Sequence, residues 1–298
     1  MMTRHQHEQG EIRVVLRRWR STTAAIAAAA AVALCTSGIT VATASAAAAA
    51  TPGCTLTSTN GTVTRTIGTR TYQLHVPQGL TGTQVPLLLS LPGAFSNGSL
   101  QESNTGWSTF ADANNFIVAY PDEDPAMGGV WNPYVSNSPD LSFLSSVVDD
   151  ISAHWCADAH HVHVDGWSNG AVMSQRVACD LAAKFASATS YAGGSPTVSG
   201  APCKPSRPIS TFLLAGQLDF TYAGLASNTS EWVGYDGCSA TPTHETDTYG
   251  TTDSYRCAAT TSVMSRTVVN TSHNWPSGAQ GQDQRTRMWS FFQANPLP

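Results

Sequence analysis

The segment Asp165-Gly166-Trp167-Ser168-Asn169-Gly170 sets a serine between two glycines. It closes the alternating run HVHVDG and opens NGAVMSQRVACDLAAKF, a stretch of helical composition. A serine hydroxyl is a poor nucleophile unless a base takes its proton during attack, and the base works only if a third group orients it. Gly-x-Ser-x-Gly between a strand and a helix supplies the steric part of that requirement. The serine stands on a sharp turn that lifts its hydroxyl clear of the sheet, and small flanking residues let strand and helix backbones nearly touch. The helix that follows points its positive end at the site. Ser168 is therefore the candidate nucleophile; the competing reading is a serine that only caps the helix.

The partners must lie downstream. The apolar run PISTFLLAGQLD ends at Asp219, a carboxylate placed just past a strand's carboxyl end. Two histidines follow. His273 lies in SHNWPSG, after the apolar run VMSRTVVN and beside Trp275 and Pro276, whereas His244 lies in the polar stretch TPTHETD. The expected assignment is Ser168 as nucleophile, His273 as base and Asp219 as orienting acid. Asp236, Asp247 and Asp253 suit the acid role less, because they sit in a polar segment. An oxyanion needs two backbone N–H groups; Asn169 and Ala94 are expected to supply them, with Gly93 letting the loop after LLLSLPG come close. Phe95, Trp107, Trp131, Tyr222 and Trp275 are candidate substrate-cleft residues. For the three tryptophans, core packing is an equal alternative. His161 and His163 point to one strand face, near His160, but no Asp, Glu or Cys pattern completes a ligand set. No metal and no cofactor are expected.

A sheet has to hold these side chains in place. TVTRTIGTRTYQLHVP alternates as a hairpin with Gly68 near its turn. VPLLLSLPG, FIVAYPDED, HHVHVDG, FASATSYAGG, PISTFLLAGQLD and TTSVMSRTVVN read as strands, several of them continuous apolar runs suited to burial on both faces. TGWSTFADANN, SPDLSFLSSVVDDISAHWC with Asp140 placed to cap it, NGAVMSQRVACDLAAKF and a closing MWSFFQANP read as helices. Alternating strands and helices predict an α/β fold with a mostly parallel, doubly wound sheet. The stretch from about 220 to 260, rich in Gly, Thr, Ser and Asp, reads as an insertion loop stapled by a disulfide.

The N-terminal fifty of the 298 residues do not fit that pattern. Five arginines and two acids precede residue 21. An alanine-rich apolar segment follows and leads to ATASAAAAA, the order of a removable secretory signal peptide. Residues 51–298 are then one catalytic-size domain of about 248 residues. From residue 51 onward ten Lys and Arg face eighteen Asp and Glu, with no basic run, which argues against nucleic acid as a partner. Of the seven cysteines, Cys35 falls in the leader. The even number left, with no CxxC pair, predicts disulfides in an exported chain. The expected pairs are Cys54–Cys156, Cys179–Cys203 and Cys238–Cys257. The mature chain is expected to be extracellular, monomeric and free of membrane.

The tracts LLLSLPGAFSNGSLQESNTGWSTFADANNFIVAYPDED, VWN, DLSFLSSVVDDI, HWCADAHHVHVDGWSNGAVMSQRVACDLAAKF, AGQLD and SHNWP resemble the polyhydroxybutyrate-depolymerase-like secreted esterases, a group that includes feruloyl and acetylxylan esterases. The resemblance runs from about residue 70 to 295. It implies an α/β-hydrolase fold, a serine-esterase activity on polyester or on feruloyl or acetyl esters of plant polysaccharide, and the same three residues: Ser168, Asp219 and His273. The chain departs from the family pattern at Pro92-Gly93, where His-Gly is usual, at Gly216-Gln217-Leu218-Asp219, where Gly-Thr-x-Asp is usual, and at FTYAG, usually a Pro-rich tract. An inert α/β-hydrolase scaffold that serves as a secreted binding protein, and a peptidase of the same fold, are the alternatives.

Overall fold

The computed structural model describes residues 61–80, 82–135, 137–197 and 203–298. The leader read over residues 1–50 and Cys54 lie outside the described residues. Within them the strands are β1 (Gly61–Ile67), β2 (Arg70–Val76), β3 (Val85–Leu91), β4 (Ile117–Pro121), β5 (Ala157–Gly166), β6 (Ser187–Tyr191), β7 (Ser210–Gly216), β8 (Thr243–Asp247), β9 (Gly250–Arg256) and β10 (Ser262–Val268). The helices are α1 (Gly98–Thr105), α2 (Trp107–Asn114), α3 (Pro139–His154), α4 (Asn169–Asp180), α5 (Leu225–Tyr235) and α6 (Gly278–Ala294). All the strands join one sheet in the order β1-β2-β4-β3-β5-β6-β7-β10-β9-β8. From β4 to β10 neighbours run parallel. The β1–β2 hairpin and the β9–β8 hairpin add antiparallel edges. This is the expected doubly wound α/β-hydrolase architecture.

The alternation within β3 shows how the sheet is held. Leu87, Leu89 and Leu91 join one buried cluster with Leu144, Val147 and Ile151 of α3. Leu88 points the other way, into a cluster with Trp107, Phe116, Met288, Trp289 and Phe292. Burial on both faces is what a central parallel strand between two helix layers requires.

Several local expectations give way to tertiary structure. The stretch TGWSTFADANN carries the expected helix, α2, but a second helix that the sequence reading did not include, α1, runs directly into it. Gly106 adopts φ 65°, closing α1 and starting α2, a conformation that glycine takes without strain. Asn97 nucleates α1, its side chain accepting from the Leu100 N–H at 2.9 Å. Ser138, not Asp140, caps α3, with Pro139 in the first turn. Asp140 instead pairs with buried Arg70 at 2.6 Å. The closing helix begins at Gly278, well before the apolar MWSFF segment. The 220–260 stretch is not an irregular loop: it forms α5 and then β8 and β9 of the sheet itself. Among the described residues no helix is long and apolar enough to cross a membrane.

Disulfides join Cys179 to Cys203 and Cys238 to Cys257. Cys156 is also disulfide-bonded, with its partner outside the described residues. The first ties the end of α4 to the approach to β7 across a sequence separation of 24. Closing a loop of that order removes unfolded-state entropy worth about 3 kcal/mol. The double variant Cys179→Ala/Cys203→Ala is expected to melt roughly 6–12 °C lower, a shift read by calorimetry under non-reducing conditions.

Candidate active site

The chain leaves β5 and enters α4 through Ser168, whose φ of 56° and ψ of −119° are costly for a residue with a Cβ. Five backbone hydrogen bonds hold the turn. Trp167 and Ser168 donate to the carbonyls of Leu91 and Tyr191 at 3.1 and 3.0 Å. Gly170, Ala171 and Val172 close the first turn on Trp167 and Ser168 at 2.9, 3.0 and 3.2 Å. The flanking glycines follow from the crossing. A Cβ on Gly166 would lie 2.1 Å from the Gly170 oxygen, and one on Gly170 would lie 2.3 Å from the Leu91 and Pro92 oxygens. Ser168 makes no side-chain cap to α4, so the helix-cap reading fails.

The Ser168 hydroxyl lies 2.8 Å from His273 Nε2, and His273 Nδ1 lies 2.9 Å from Asp219 Oδ2. A carboxylate can only accept, so Nδ1 carries the proton and Nε2 presents its lone pair to the serine hydroxyl. Asp219 is 6% exposed, and its other oxygen accepts from the Thr221 N–H at 2.7 Å and hydroxyl at 2.8 Å. The topology explains the meeting. β7 and β10 are parallel neighbours, with Gly216 opposite Val268, so the loops after both strands open at the same edge as the turn after β5. The rival His244 is exposed on β8 and is engaged by Asp253.

Beside Ser168, the backbone N–H groups of Ala94 and Asn169 face no protein acceptor among the described residues. The Asn169 side chain is committed elsewhere, its Oδ1 accepting from the Trp131 N–H at 2.7 Å. The Phe95 N–H donates to the Gly129 carbonyl at 2.7 Å, which fixes the loop carrying Ala94. A Cβ on Gly93 would come within 3.2 Å of Ser168 Cβ, so that loop is packed directly on the nucleophile candidate.

The expected aromatic cleft needs correction. Trp107 is buried and donates from its indole to Asp165 at 3.0 Å. Trp131 is buried and donates to the Pro92 carbonyl at 3.0 Å. Trp275 is buried edge-on to Tyr191. Core packing draws all three rings inward, and an indole partner reinforces it for Trp107 and Trp131, whereas the Trp275 indole nitrogen is buried without one. Phe95 and Tyr222 are exposed, as a cleft requires. Phe220, which the sequence reading overlooked, places its ring 4.4 Å from the His273 ring and is 78% exposed; Trp167 stands 5.8 Å from the same imidazole. The histidine triplet divides into separate roles. His163 is buried, stacked on Phe292 and hydrogen-bonded to Ser187, while His161 pairs with Asp158 and His160 meets the Leu297 carbonyl.

No protein-family model matches the chain. Among curated proteins it is 31% identical over 150 residues to a bifunctional acetylxylan esterase/xylanase of Neocallimastix patriciarum, covering 50% of the chain and 21% of that protein. It is 26% identical over 245 residues to feruloyl esterase B of Piromyces equi, covering 74% of the chain and 44% of that protein. It is 28% identical over 127 residues to poly(3-hydroxyalkanoate) depolymerase C of Paucimonas lemoignei, covering 40% of the chain and 30% of that protein. In each case the match spans less than half of the relative's own length. Among solved structures, the acetyl xylan esterase from Aspergillus awamori superposes with a TM-score of 0.65 at 18% identity, covering 79% of the chain and 100% of that structure. That likeness establishes the fold.

Beneath the turn lies a second carboxyl, Asp165, which the sequence reading did not single out. It is fully buried and accepts from Trp107 Nε1 at 3.0 Å, Thr189 Oγ1 at 2.9 Å and Ser90 Oγ at 3.2 Å; Gln101 in turn donates to Ser90 at 3.0 Å. One side chain thus ties β3, β5, β6 and α2 together three residues before Ser168. Burial raises its carboxyl from 3.8 to about 6, against the pull of those three donors. Between these values the folded state keeps a proton that the unfolded chain releases, so stability falls as pH rises through the window. Two units correspond to about 3 kcal/mol. Asp165→Asn removes that titration. Urea unfolding at pH 4 and pH 7 is expected to show the variant gaining about 3 kcal/mol on the wild type between the two conditions. An equal pH response in both proteins would show that folding does not raise the Asp165 carboxyl.

Proposed function

We propose that the chain is a secreted serine carboxylic-ester hydrolase working through an acyl-enzyme. The observation that carries this reading is the continuous hydrogen-bonded run Ser168–His273–Asp219, at 2.8 and 2.9 Å, on a serine held at positive φ. In the proposed reaction His273 Nε2 takes the Ser168 proton as Oγ attacks the ester carbonyl, and Asp219 holds the imidazole and offsets its charge. The Ala94 and Asn169 N–H groups receive the oxyanion. The protonated His273 gives its proton to the leaving alcohol. A water deprotonated by the same imidazole then releases the acid. No step calls for a cofactor.

The substrate reading is an ester of plant polysaccharide, feruloyl or acetyl, or a hydroxyalkanoate polyester. Relatives named for all three activities support it. Export is supported by the signal-like leader composition and by the disulfides at Cys156, Cys179–Cys203 and Cys238–Cys257. Pro92, which stands where the family pattern has His, offers its carbonyl to Trp131 and leaves the Ala94 N–H free, which supports a working site over an inert scaffold.

The test compares the purified chain with Ser168→Ala on methyl ferulate, acetylated xylan and polyhydroxybutyrate, together with labelling by a fluorophosphonate. At least one substrate is expected to turn over, with a loss on the order of 10⁴-fold or more in the variant and no label on it. Labelling with no ester turnover but with cleavage of peptides would favour the peptidase. Equal behaviour of the two proteins throughout would favour the inert scaffold.

A further inference from the structure

The loop after β3 serves two places. Gly93 packs on Ser168. A few residues on, Ser96, Asn97 and Ser99 line a cavity of about 460 Å³, which Gln73 of β2 and Asp122 and Glu123, just after β4, complete. That volume lies within the roughly 300–1,000 Å³ range of small-ligand sites. Most of the lining residues carry polar side chains, Pro125 and Gly129 supply the rest, and none is aromatic.

The state of each polar group narrows the ligand. Asp122 is occupied: its carboxylate accepts from the Gly98 N–H at 2.7 Å and from the Thr71 hydroxyl. Glu123 is not. It is 4% exposed, yet its Oε1 has no hydrogen-bond partner. Burial, reinforced by the neighbouring Asp122, pushes its carboxyl up to about 8, so at neutral pH it is uncharged and can both donate and accept. Gln73 and Asn97 use their side-chain oxygens on Thr64 and Leu100. Their amide nitrogens, with the hydroxyls of Ser96 and Ser99, have no protein partner among the described residues. Beside the Asp122 carboxylate, both of whose oxygens are already engaged, the cavity therefore offers mainly neutral donors and acceptors. An alkyl or phenyl occupant would keep the buried Glu123 oxygen unpaired and strip water from the other polar groups without replacing its hydrogen bonds, and so is disfavoured.

We propose that this cavity is a saccharide subsite: it binds a sugar residue of the chain that carries the ester, one loop away from the scissile bond, and Glu123 reads that sugar's hydroxyls. The proposal rests on the esterase reading and narrows its substrate to carbohydrate esters. Phe95 N–H, bonded to the Gly129 carbonyl, and Ser96 N–H, bonded at 3.2 Å to the Gly93 carbonyl, keep the shared loop rigid between the cavity and the serine. A sugar bound there would align the chain without touching the reacting atoms.

The test uses two esters with one acyl group: acetylated xylo-oligosaccharide and 4-nitrophenyl acetate. The readout is the ratio of their kcat/KM values. Glu123→Leu is expected to lower the ratio by about tenfold or more, through a higher KM on the oligosaccharide. Glu123→Gln, still neutral and able to donate and accept, keeps the ratio within about threefold. Because a buried substitution can impair folding, Gln73→Ala on the half-buried face of β2 is measured alongside, and a fall of about threefold or more is expected. An unchanged ratio in both Glu123→Leu and Gln73→Ala, or an equal fall on both esters, overturns the subsite and leaves the esterase standing. If the wild type hydrolyses neither ester faster than Ser168→Ala, the esterase reading fails and the subsite falls with it.

Discussion

At Ser168 the backbone of a buried strand reverses into a helix with no room for a side chain on either flank. Gly166 and Gly170 pass so close to each other and to the Leu91 and Pro92 carbonyls that any Cβ would clash with backbone atoms. The strain at Ser168, of order 1–3 kcal/mol, persists only because its surroundings over-determine it. Those surroundings are the hydrogen bonds to the carbonyls of Leu91 and Tyr191, on strands either side of β5. The turn can exist only with β3, β5 and β6 already in register. The same crowding brings Gly93 against Ser168 and leaves the Ala94 and Asn169 N–H groups free. Nucleophile and proposed oxyanion donors are thus consequences of one crossing rather than separate devices.

The acid and the base come from the far side of the sheet by a different logic. Asp219 and His273 follow the parallel neighbours β7 and β10, so short loops bring both to the edge where β5 ends. The Leu218 N–H donates to the Thr271 carbonyl at 2.9 Å and the Gln217 N–H to the Val268 carbonyl at 2.8 Å, which locks the two loops to each other before either side chain is considered. Below them Asp165 does for the turn what these bonds do for the loops. Its carboxyl draws in the indole of Trp107, and so joins the second helix layer to the strand that carries Ser168.

The parts of this site that were legible in the sequence share one property: local pattern decides them. Ser168, Asp219 and His273 each end or follow an apolar run at a strand's carboxyl edge, and glycines mark the crossing. The tryptophans were not legible. A tryptophan near a strand end can turn inward or outward, and what turned Trp107 and Trp131 inward is a partner more than thirty residues away, Asp165 or Pro92. Phe220 was missed for the converse reason. Nothing local distinguishes it, and its place over His273 follows from the turn that seats Asp219. The strands β8 and β9 carry THETD and GTTDSYR, with almost no apolar alternation, because β8 is an exposed edge and β9 joins it to the sheet by backbone pairing, burying glycine and threonine rather than large apolar side chains. Glu123 sits in PDED, where composition suggests a solvated acidic turn; only the packing of β2 and the β3–α1 loop over it makes it buried.

The surroundings of Ser168 are chemically divided, and the division bears on what an ester would have to look like. Phe95, Phe220 and Leu218 hold large apolar side chains 83%, 78% and 67% exposed, a cost in water that contact with an apolar ligand would relieve. The cavity behind the β3–α1 loop holds the opposite, a buried Glu123 oxygen without a partner and polar side chains that meet water. An aliphatic polyester would satisfy the exposed rings and leave the polar cavity unpaired; a bare acetylated sugar would do the reverse. On the proposed reading, the substrate that satisfies both surfaces is amphiphilic, an apolar acyl group carried on a saccharide. Burial of Glu123 and exposure of Phe220 then become two halves of one requirement.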